Sequence, residues 1–351
     1  MRIAQIAPLH EAVPPKLYGG TERVVSYLTE ELVALGHDVT LFASGDSLTS
    51  ARLAPMSKQA LRLDPGVRDT LAPHLRMLEL ILRQADEFDV LHLHVDYLPF
   101  SAFVRQPTPF LTTLHGRLDL QEYVEIFNIF PRVPVVSISD SQRLPVPDLH
   151  WLGTVQHGLP RDLLTPQPVK AEYLAFLGRI SPEKGVDKAI RIAGRAGMKL
   201  RIAAKVDRLD ADYFNEQIKP LLAQPHVEYI GEINEDQKPE FLSGATALMF
   251  PIDWPEPFGL VMIEAMACGT PVIAYKRGSV PEVLEDGLTG AIVGSETEAL
   301  RAVNRLHVFD RAAIRRRFEE RFTARRMAEE YLEVYESMVL SGRPHLRAVN
   351  A

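Results

Sequence analysis

One cysteine, Cys268, stands in 351 residues, so no disulfide can form within the chain and nothing ties it to an oxidising compartment. Set at the end of an apolar stretch, it reads as a small buried hydrophobe rather than a reactive thiol. No apolar run approaches the roughly 20 residues that span a bilayer. Met1 to Pro8 alternate like a strand and lack the apolar core of a signal peptide, so a cytoplasmic location is expected. Positive charge is not in excess either: 39 Lys and Arg against 46 Asp and Glu leave a net charge of -7. That balance argues against nucleic acid or an anionic membrane as the main partner. Low-complexity tracts and short repeats are missing, and the first turn lacks the Gly-x-Gly-x-x-Gly of a nicotinamide or flavin fold. What remains is ordinary soluble protein, 46% hydrophobic and 24% charged, long enough for about two domains.

Hydrophobic periodicity fills in the layout. Ile3 to Ala7 reads as a strand, Thr21 to Leu35 as a helix with Val25, Leu28, Leu32 and Leu35 on one face, and Asp38 to Phe42 as the returning strand. A helix over about 72 to 86 and strands at 90–94, 110–114, 135–139 and 155–157 continue the alternation. The stretch from Pro160 to Gln167 reads as a linker, while the loops from Glu11 to Tyr18 and Gly116 to Phe130 have no obvious element. A second set follows, with strands at 173–177, 200–203, 228–230, 247–250 and 272–274, and helices at 186–193 and near 295–306. Met327, Tyr331, Val334 and Met338 stripe a last helix that Thr323 could cap. Alternating strands and helices of this kind make parallel α/β sheets.

The most informative stretch runs from Pro251 to Ala274. A short apolar strand ends at Pro251, a proline-broken loop follows, and a helix closed by Gly269 comes next. Such a strand, loop and helix N-terminus offers unpaired N–H groups and a positive dipole to an anion. Gly259 takes the Cβ away from the closest approach. Glu256 precedes the helix and Glu264 lies within it, on a surface otherwise made by Leu260, Val261, Met262, Ile263 and Met266. A carboxylate there must be paired or bonded to a ligand. Gly178 to Gly185 follows the first strand of the second set and carries Arg179 and Lys184, a fork and a mobile point charge suited to a diphosphate. The alternative is a pair of solvated surface cations.

These motifs resemble the retaining glycosyltransferases of family 4, whose signature is a glutamate pair at this separation around Phe-Gly-Leu. The resemblance covers essentially the whole chain and is strongest from Leu174 to Pro281. It implies an α/β fold of two Rossmann-like parallel-sheet domains facing across a cleft (GT-B): residues 1–160 on the acceptor side, 161–322 binding the nucleotide sugar, and a terminal helix over 323–351 returning to the first domain. It implies a bacterial hexosyltransferase for small molecules or glycans, with a nucleoside diphosphate sugar, most often UDP-linked, as donor, a hydroxyl acceptor, no metal and no cofactor. Arg179 and Lys184 match the cations on the donor diphosphate, Glu264 the glutamate on the ribose, and Glu256 the one on the transferred sugar beside the backbone of Phe258, Gly259 and Leu260. Tyr18-Gly19-Gly20-Thr21-Glu22 resembles the glycine loop that approaches donor and acceptor, and His115 the histidine facing the donor sugar. On the residues alone, the first is equally a helix-entry turn, and a lone histidine is more often structural until its place at a strand end is added.

His92, His94 and Asp96 could be drawn as a metal site, but histidines on one face of a buried strand are more often hydrogen-bonded core residues. Asp210-Ala211-Asp212 spells Asp-x-Asp in a polar stretch and reads as surface. His10 could act as a base in an inverting enzyme, although nothing in the sequence orients it. The family pattern is broken at Gln156-His157-Gly158-Leu159, where many members carry Asn-Gly-Val. Rival functions are a sugar-nucleotide epimerase of the same fold and a non-catalytic sugar-nucleotide or glycan-binding protein. No residue is legible as a reader of the nucleotide base, and the sequence carries no signal of oligomeric state.

Overall fold

The computed structural model describes residues 1–16 and 19–342, so Tyr18 lies outside the described residues. The chain divides into two compact units. The first contains Met1–Ile138, Arg143–Gln156 and the terminal helix Ala324–Gly342; the second contains Ser139–Gln142 and His157–Thr323. The change of unit that the sequence places at 160/161 therefore falls at 156/157.

In the first unit, seven parallel strands form one sheet: β1 (Arg2–Ile6), β2 (Asp38–Ser44), β3 (Arg52–Ser57), β4 (Val90–Leu93), β5 (Phe110–Thr113), β6 (Val135–Ser137) and β7 (Trp151–Thr154), in the order β3-β2-β1-β4-β5-β6-β7. In the second, six parallel strands do the same: β8 (Tyr173–Arg179), β9 (Leu200–Lys205), β10 (Val227–Gly231), β11 (Ala245–Phe250), β12 (Val272–Tyr275) and β13 (Gly290–Val293), in the order β10-β9-β8-β11-β12-β13. Each order reverses direction once, between β1 and β4 and between β8 and β11. At such a switch point, the loops leaving the carboxyl ends of the two central strands part and leave room for a ligand. Helices cover both faces, so the central strands read as continuous apolar runs; every residue of β4 and β5 is buried.

Several elements depart from the periodicity. The strand expected over 155–157 lies earlier, at Trp151–Thr154, because Trp151 pairs with Val135 at the sheet edge. Strands β3 and β13 give no sequence signal: one contains Pro55, which only an edge strand tolerates, and the other is four residues beginning with Gly290. Gln121–Ile129 is a helix where the sequence shows a loop, buried mainly through Phe127. Arg311–Arg321 is a helix with only Ile314 and Phe318 buried, too narrow a stripe among five arginines to register. On the terminal helix, Ala324, Met327, Ala328, Tyr331 and Tyr335 form the buried seam. The expected Val334 and Met338 are only half-buried, since a 3.6-residue repeat carries the seam from Tyr331 to Tyr335. Two fully buried tyrosines bring large apolar area with hydroxyls that need partners.

Candidate active site

Arg179 is the last residue of β8, and the loop after it makes a short turn, Pro182–Lys184, before the helix Val186–Ala196. The left-handed φ of 69° at Gly185 brings the backbone so close to the carbonyl of Pro251 that a Cβ would collide with it. This contact draws the loop after β8 against the loop after β11, where Asp253 N–H donates to the Glu183 carbonyl at 2.8 Å.

The Arg179 guanidinium donates to Glu183 at 2.6 Å and stands 3.6 Å from Asp207 and 3.7 Å from Asp210. Lys205, its register partner on β9, pairs with Asp207 at 3.0 Å. Two positive and three negative charges thus share this corner. Burial pushes the Asp210 carboxyl up against the pull of Arg179, and Glu183 and Asp207 push it further. Burial also pushes Glu183 upward, but its backbone N–H, Ser181 and Arg179 together hold it below the ordinary value. Neither the solvated cation nor the open diphosphate fork describes Arg179; it is a cation held by carboxylates.

Lys184 donates to Glu256 at 2.5 Å, and the indole N–H of Trp254 donates to the same carboxylate oxygen at 2.9 Å. The ammonium also lies 4.9 Å from the centre of the Trp254 ring, within cation–π range. Glu256 is buried. The backbone around it is crowded, and a Cβ on Gly278, whose φ is 52°, would strike the Glu256 main chain. Ser279 closes the turn by donating from N–H to the Glu256 carbonyl and from its hydroxyl to the Phe258 carbonyl, both at 2.9 Å. Gly259 then takes a φ of 80° and caps the helix Leu260–Ala267, whose N-terminus carries the positive end of the helix dipole. Leu260 is half-buried at the first position, whereas the Phe258 ring is core, packed on His157 at 4.9 Å and on Phe322. Any ligand contact by Phe258 is therefore through its backbone. His157, where the family pattern is broken, is a buried wall for that ring.

Glu264 is buried on its helix, and its partner is Lys238, whose ammonium donates to it at 2.7 Å and also meets Glu235 at 3.3 Å. The apolar helix therefore carries a paired charge, as burial requires.

On the first unit, Gly19 precedes the helix Gly20–Ala34, and a Cβ there would lie 2.8 Å from Pro15 and 3.2 Å from the Glu22 carboxylate. Glu22 is buried in the first turn; burial raises its carboxyl against its own backbone N–H. His115 follows β5, half-buried, with its Nε2 2.8 Å from Nδ1 of His94. Burial holds the imidazole neutral, down to about 3. Its backbone N–H donates to Asp96, a non-glycine residue with a left-handed φ of 50° at the end of β4. Among the described residues no group of three or more His, Cys, Asp or Glu side chains is arranged to hold a metal ion. No helix among those residues is long and apolar enough to cross a membrane. His10, beside His74 at 4.8 Å, is pulled down to about 4 by burial.

Against known families, residues 18–138 match the glycosyltransferase family 4 model and residues 165–320 match that of group 1 glycosyl transferases. The chain is a glycosyltransferase, similar to family 4 in its first part and to group 1 in its second. Full-length relatives agree: this glycosyltransferase is 28% identical to an alpha-maltose-1-phosphate synthase of Mycolicibacterium smegmatis, over 94% of its own length and 98% of the relative's. It is 26% identical to a phosphatidyl-myo-inositol mannosyltransferase of Mycobacterium leprae, over 97% and 98%. Among solved structures, AviGT4, a glycosyltransferase involved in avilamycin A biosynthesis, superposes with a TM-score of 0.73 at 25% identity, covering 97% and 98%. Anabaena HepE in complex with UDP-glucose superposes at 0.74 and 19% identity, covering 96% and 100%, which shows the shared GT-B fold.

In this glycosyltransferase the sequence assigns no site role to Lys238, Lys205 or Asp210. Lys238 sits in the polar run Glu235 to Glu240 and looks like a solvated face, and Lys205 looks like the ragged end of a strand. Asp210 reads as surface, yet it stands beside Arg179. A usable signal exists for Lys238, since a lone carboxylate on an apolar helix demands a cation from elsewhere in the fold.

Proposed function

We propose that this glycosyltransferase is a retaining enzyme that moves a hexose from a UDP-linked sugar to a hydroxyl acceptor, without a metal or other cofactor. The observation that carries this reading is the meeting of Arg179, Lys184, Glu256 and the Gly259 helix N-terminus at the carboxyl ends of β8 and β11, the switch point of the second sheet. A departing diphosphate gathers charge as the glycosidic bond breaks. Oriented cations and helix N–H groups stabilise that charge more than the ground state, which is what accelerates the step.

Arg179 and Lys184 would take the diphosphate by exchanging their carboxylates for phosphate oxygens. Glu256, released by Lys184, then accepts from hydroxyls of the transferred sugar, and the second oxygen of Glu264 from the ribose. On the first unit, His115 and the Gly19–Gly20 turn are assigned to the sugar and acceptor side. The acceptor attacks on the face that the leaving group vacates, and a phosphate oxygen takes its proton. The choice of UDP is supported by the UDP-glucose bound in the related Anabaena fold.

The test is a thermal-shift panel of UDP-glucose, UDP-galactose, UDP-N-acetylglucosamine, GDP-mannose and ADP-glucose, each with and without EDTA. A donor at about a hundred times its dissociation constant adds roughly 2.7 kcal/mol. Stabilisation by one UDP sugar, unaffected by EDTA, and a product with the donor's anomeric configuration support the reading. No stabilisation by any donor, or loss of it with EDTA, would refute it.

A further inference from the structure

His92 on β4 and His94 just after it belong to a buried hydrogen-bonded chain that includes His115. His115 Nε2 lies 2.8 Å from His94 Nδ1, and His94 Nε2 lies 2.8 Å from the Gln5 Oε1. The other end of the Gln5 amide, Nε2, donates to the Tyr335 hydroxyl at 3.1 Å, and that hydroxyl is 2.6 Å from His92 Nδ1. His92 Nε2 lies 2.7 Å from Thr113 Oγ1, which in turn meets the Tyr331 hydroxyl at 2.8 Å. Gln5, His92, His94, Thr113, Tyr331 and Tyr335 are all buried.

A neutral imidazole has one donor nitrogen and one acceptor, so each link in such a chain dictates the next. An amide oxygen only accepts. His94 must therefore carry its proton on Nε2, which leaves Nδ1 as an acceptor. His115 can satisfy that acceptor only with a proton on its own Nε2. The polarity is consistent at the other end: the Gln5 NH2 donates to Tyr335, Tyr335 donates to His92 Nδ1, and His92 donates from Nε2 to Thr113. Turning the amide over would reverse every step.

We propose that Gln5 is a positioning residue that sets the tautomer of His115 through His94, so that the His115 ring holds its proton on Nε2 and offers Nδ1 as an acceptor. Gln5 is fixed from the opposite side by Tyr335 of the terminal helix, which makes that helix part of the device. For the glycosyl-transfer reading, on which this role depends, an acceptor nitrogen suits a sugar hydroxyl, which donates. Burial supports the neutral state of the rings: it lowers the His92 imidazole well below its ordinary value and that of His115 to about 3.

The experiment is long-range proton–nitrogen correlation of the whole chain with histidine labelled in ¹⁵N, His115 being assigned by the signal lost in His115→Gln. In the wild type, His115 and His94 should each show a pyrrole-type Nε2 and a pyridine-type Nδ1. Gln5→Met removes the acceptor, and a mixture of tautomers should appear at His115. A wild-type His115 protonated on Nδ1 overturns the proposal, as does an unchanged single tautomer in a folded Gln5→Met. Should Gln5→Met fail to fold, the wild-type spectrum still decides, because it can show the opposite polarity. No donor or acceptor is needed, so the outcome is separate from that of the donor panel.

Discussion

Replacing Asp210 with Asn should tighten donor binding, although Asp210 lies beside the arginine that would hold the diphosphate. Two effects compete. Asp210 helps to orient Arg179, but at 3.7 Å it is beyond hydrogen-bonding distance, whereas Glu183 holds the same guanidinium at 2.6 Å. Loss of the Asp210 charge therefore loosens Arg179 little. Repulsion between the carboxylate and the incoming phosphate outweighs that loss. A phosphate on the Arg179 fork would stand roughly 6 Å from the Asp210 carboxylate, and at an effective dielectric constant of about 40 two unit charges there repel by about 1.4 kcal/mol, about tenfold in affinity. Screening at physiological salt lowers this toward about threefold. Calorimetric titration with UDP should show Kd falling about three- to tenfold in Asp210→Asn, more at low salt. An arriving diphosphate should raise the Asp210 carboxyl further, so binding takes up a proton increasingly as the pH falls toward the carboxylate range. The uptake appears as a binding enthalpy that depends on the buffer and disappears in Asp210→Asn. A Kd that rises or stays the same in a folded variant would refute the account of Arg179 as a cation held back by its carboxylates.

Arg179→Ala and Lys184→Ala should each lower turnover at saturating donor by at least about tenfold, because each removes a charge opposite the developing diphosphate; wild-type rates in both would exclude the clamp. Glu264→Ala should mainly raise the KM for donor, since ribose contacts are the same in ground and transition states, and a loss confined to kcat would contradict that role. In urea denaturation, Lys238→Met should cost about 3 kcal/mol by leaving Glu264 buried without this ammonium, whereas Glu264→Ala should cost less because Lys238 still meets Glu235; equal losses would dissolve the distinction. Acid should destabilise the fold. His10 and His115 are held near 4 and 3, so between the unfolded value of 6.5 and those values the unfolded chain binds more protons and stability falls as the pH falls. The two together should cost about 2 kcal/mol between pH 6.5 and 5, His10 contributing the smaller part because solvent reaches it, and equal denaturation midpoints at those pH values would contradict their burial as neutral rings.

The sequence displays the parts of the site that depend on local chain geometry. Gly259 has to be glycine because of its left-handed φ, the Leu260 helix is announced by its apolar run and closed by Gly269, and the strands before Arg179 and Pro251 are continuous apolar runs. Each of these is set within about ten residues of chain. Strands β3 and β13 and the helix Arg311–Arg321 escape notice because their place depends on partners far away in sequence and their own burial is slight. Tyr335 belongs to the same class: its neighbour Val334 is the better apolar residue, but the seam continues through the tyrosine whose hydroxyl Gln5 and His92 require.

The same division explains why the charged residues are harder to read than the glycines. Glu264 is legible as a charge that needs a partner, and Arg179 and Lys184 as cations for a diphosphate, and the groups beside them are Lys238 for Glu264, Glu183 with Asp207 and Asp210 for Arg179, and Glu256 for Lys184. Most of these lie more than twenty residues from the group they pair with, at the ends of different elements, and only the sheet order brings them together. A site built for a doubly charged ligand has to remain folded when that ligand is away, and isolated cations in a partly buried corner would repel one another and bear the full cost of desolvation. Carboxylates remove that penalty, and the ligand then competes with them. On the proposed donor site, affinity should therefore depend as much on Glu183, Asp207 and Asp210 as on Arg179, and substitutions among those three acids should tune it without touching the residues that face the reacting bond.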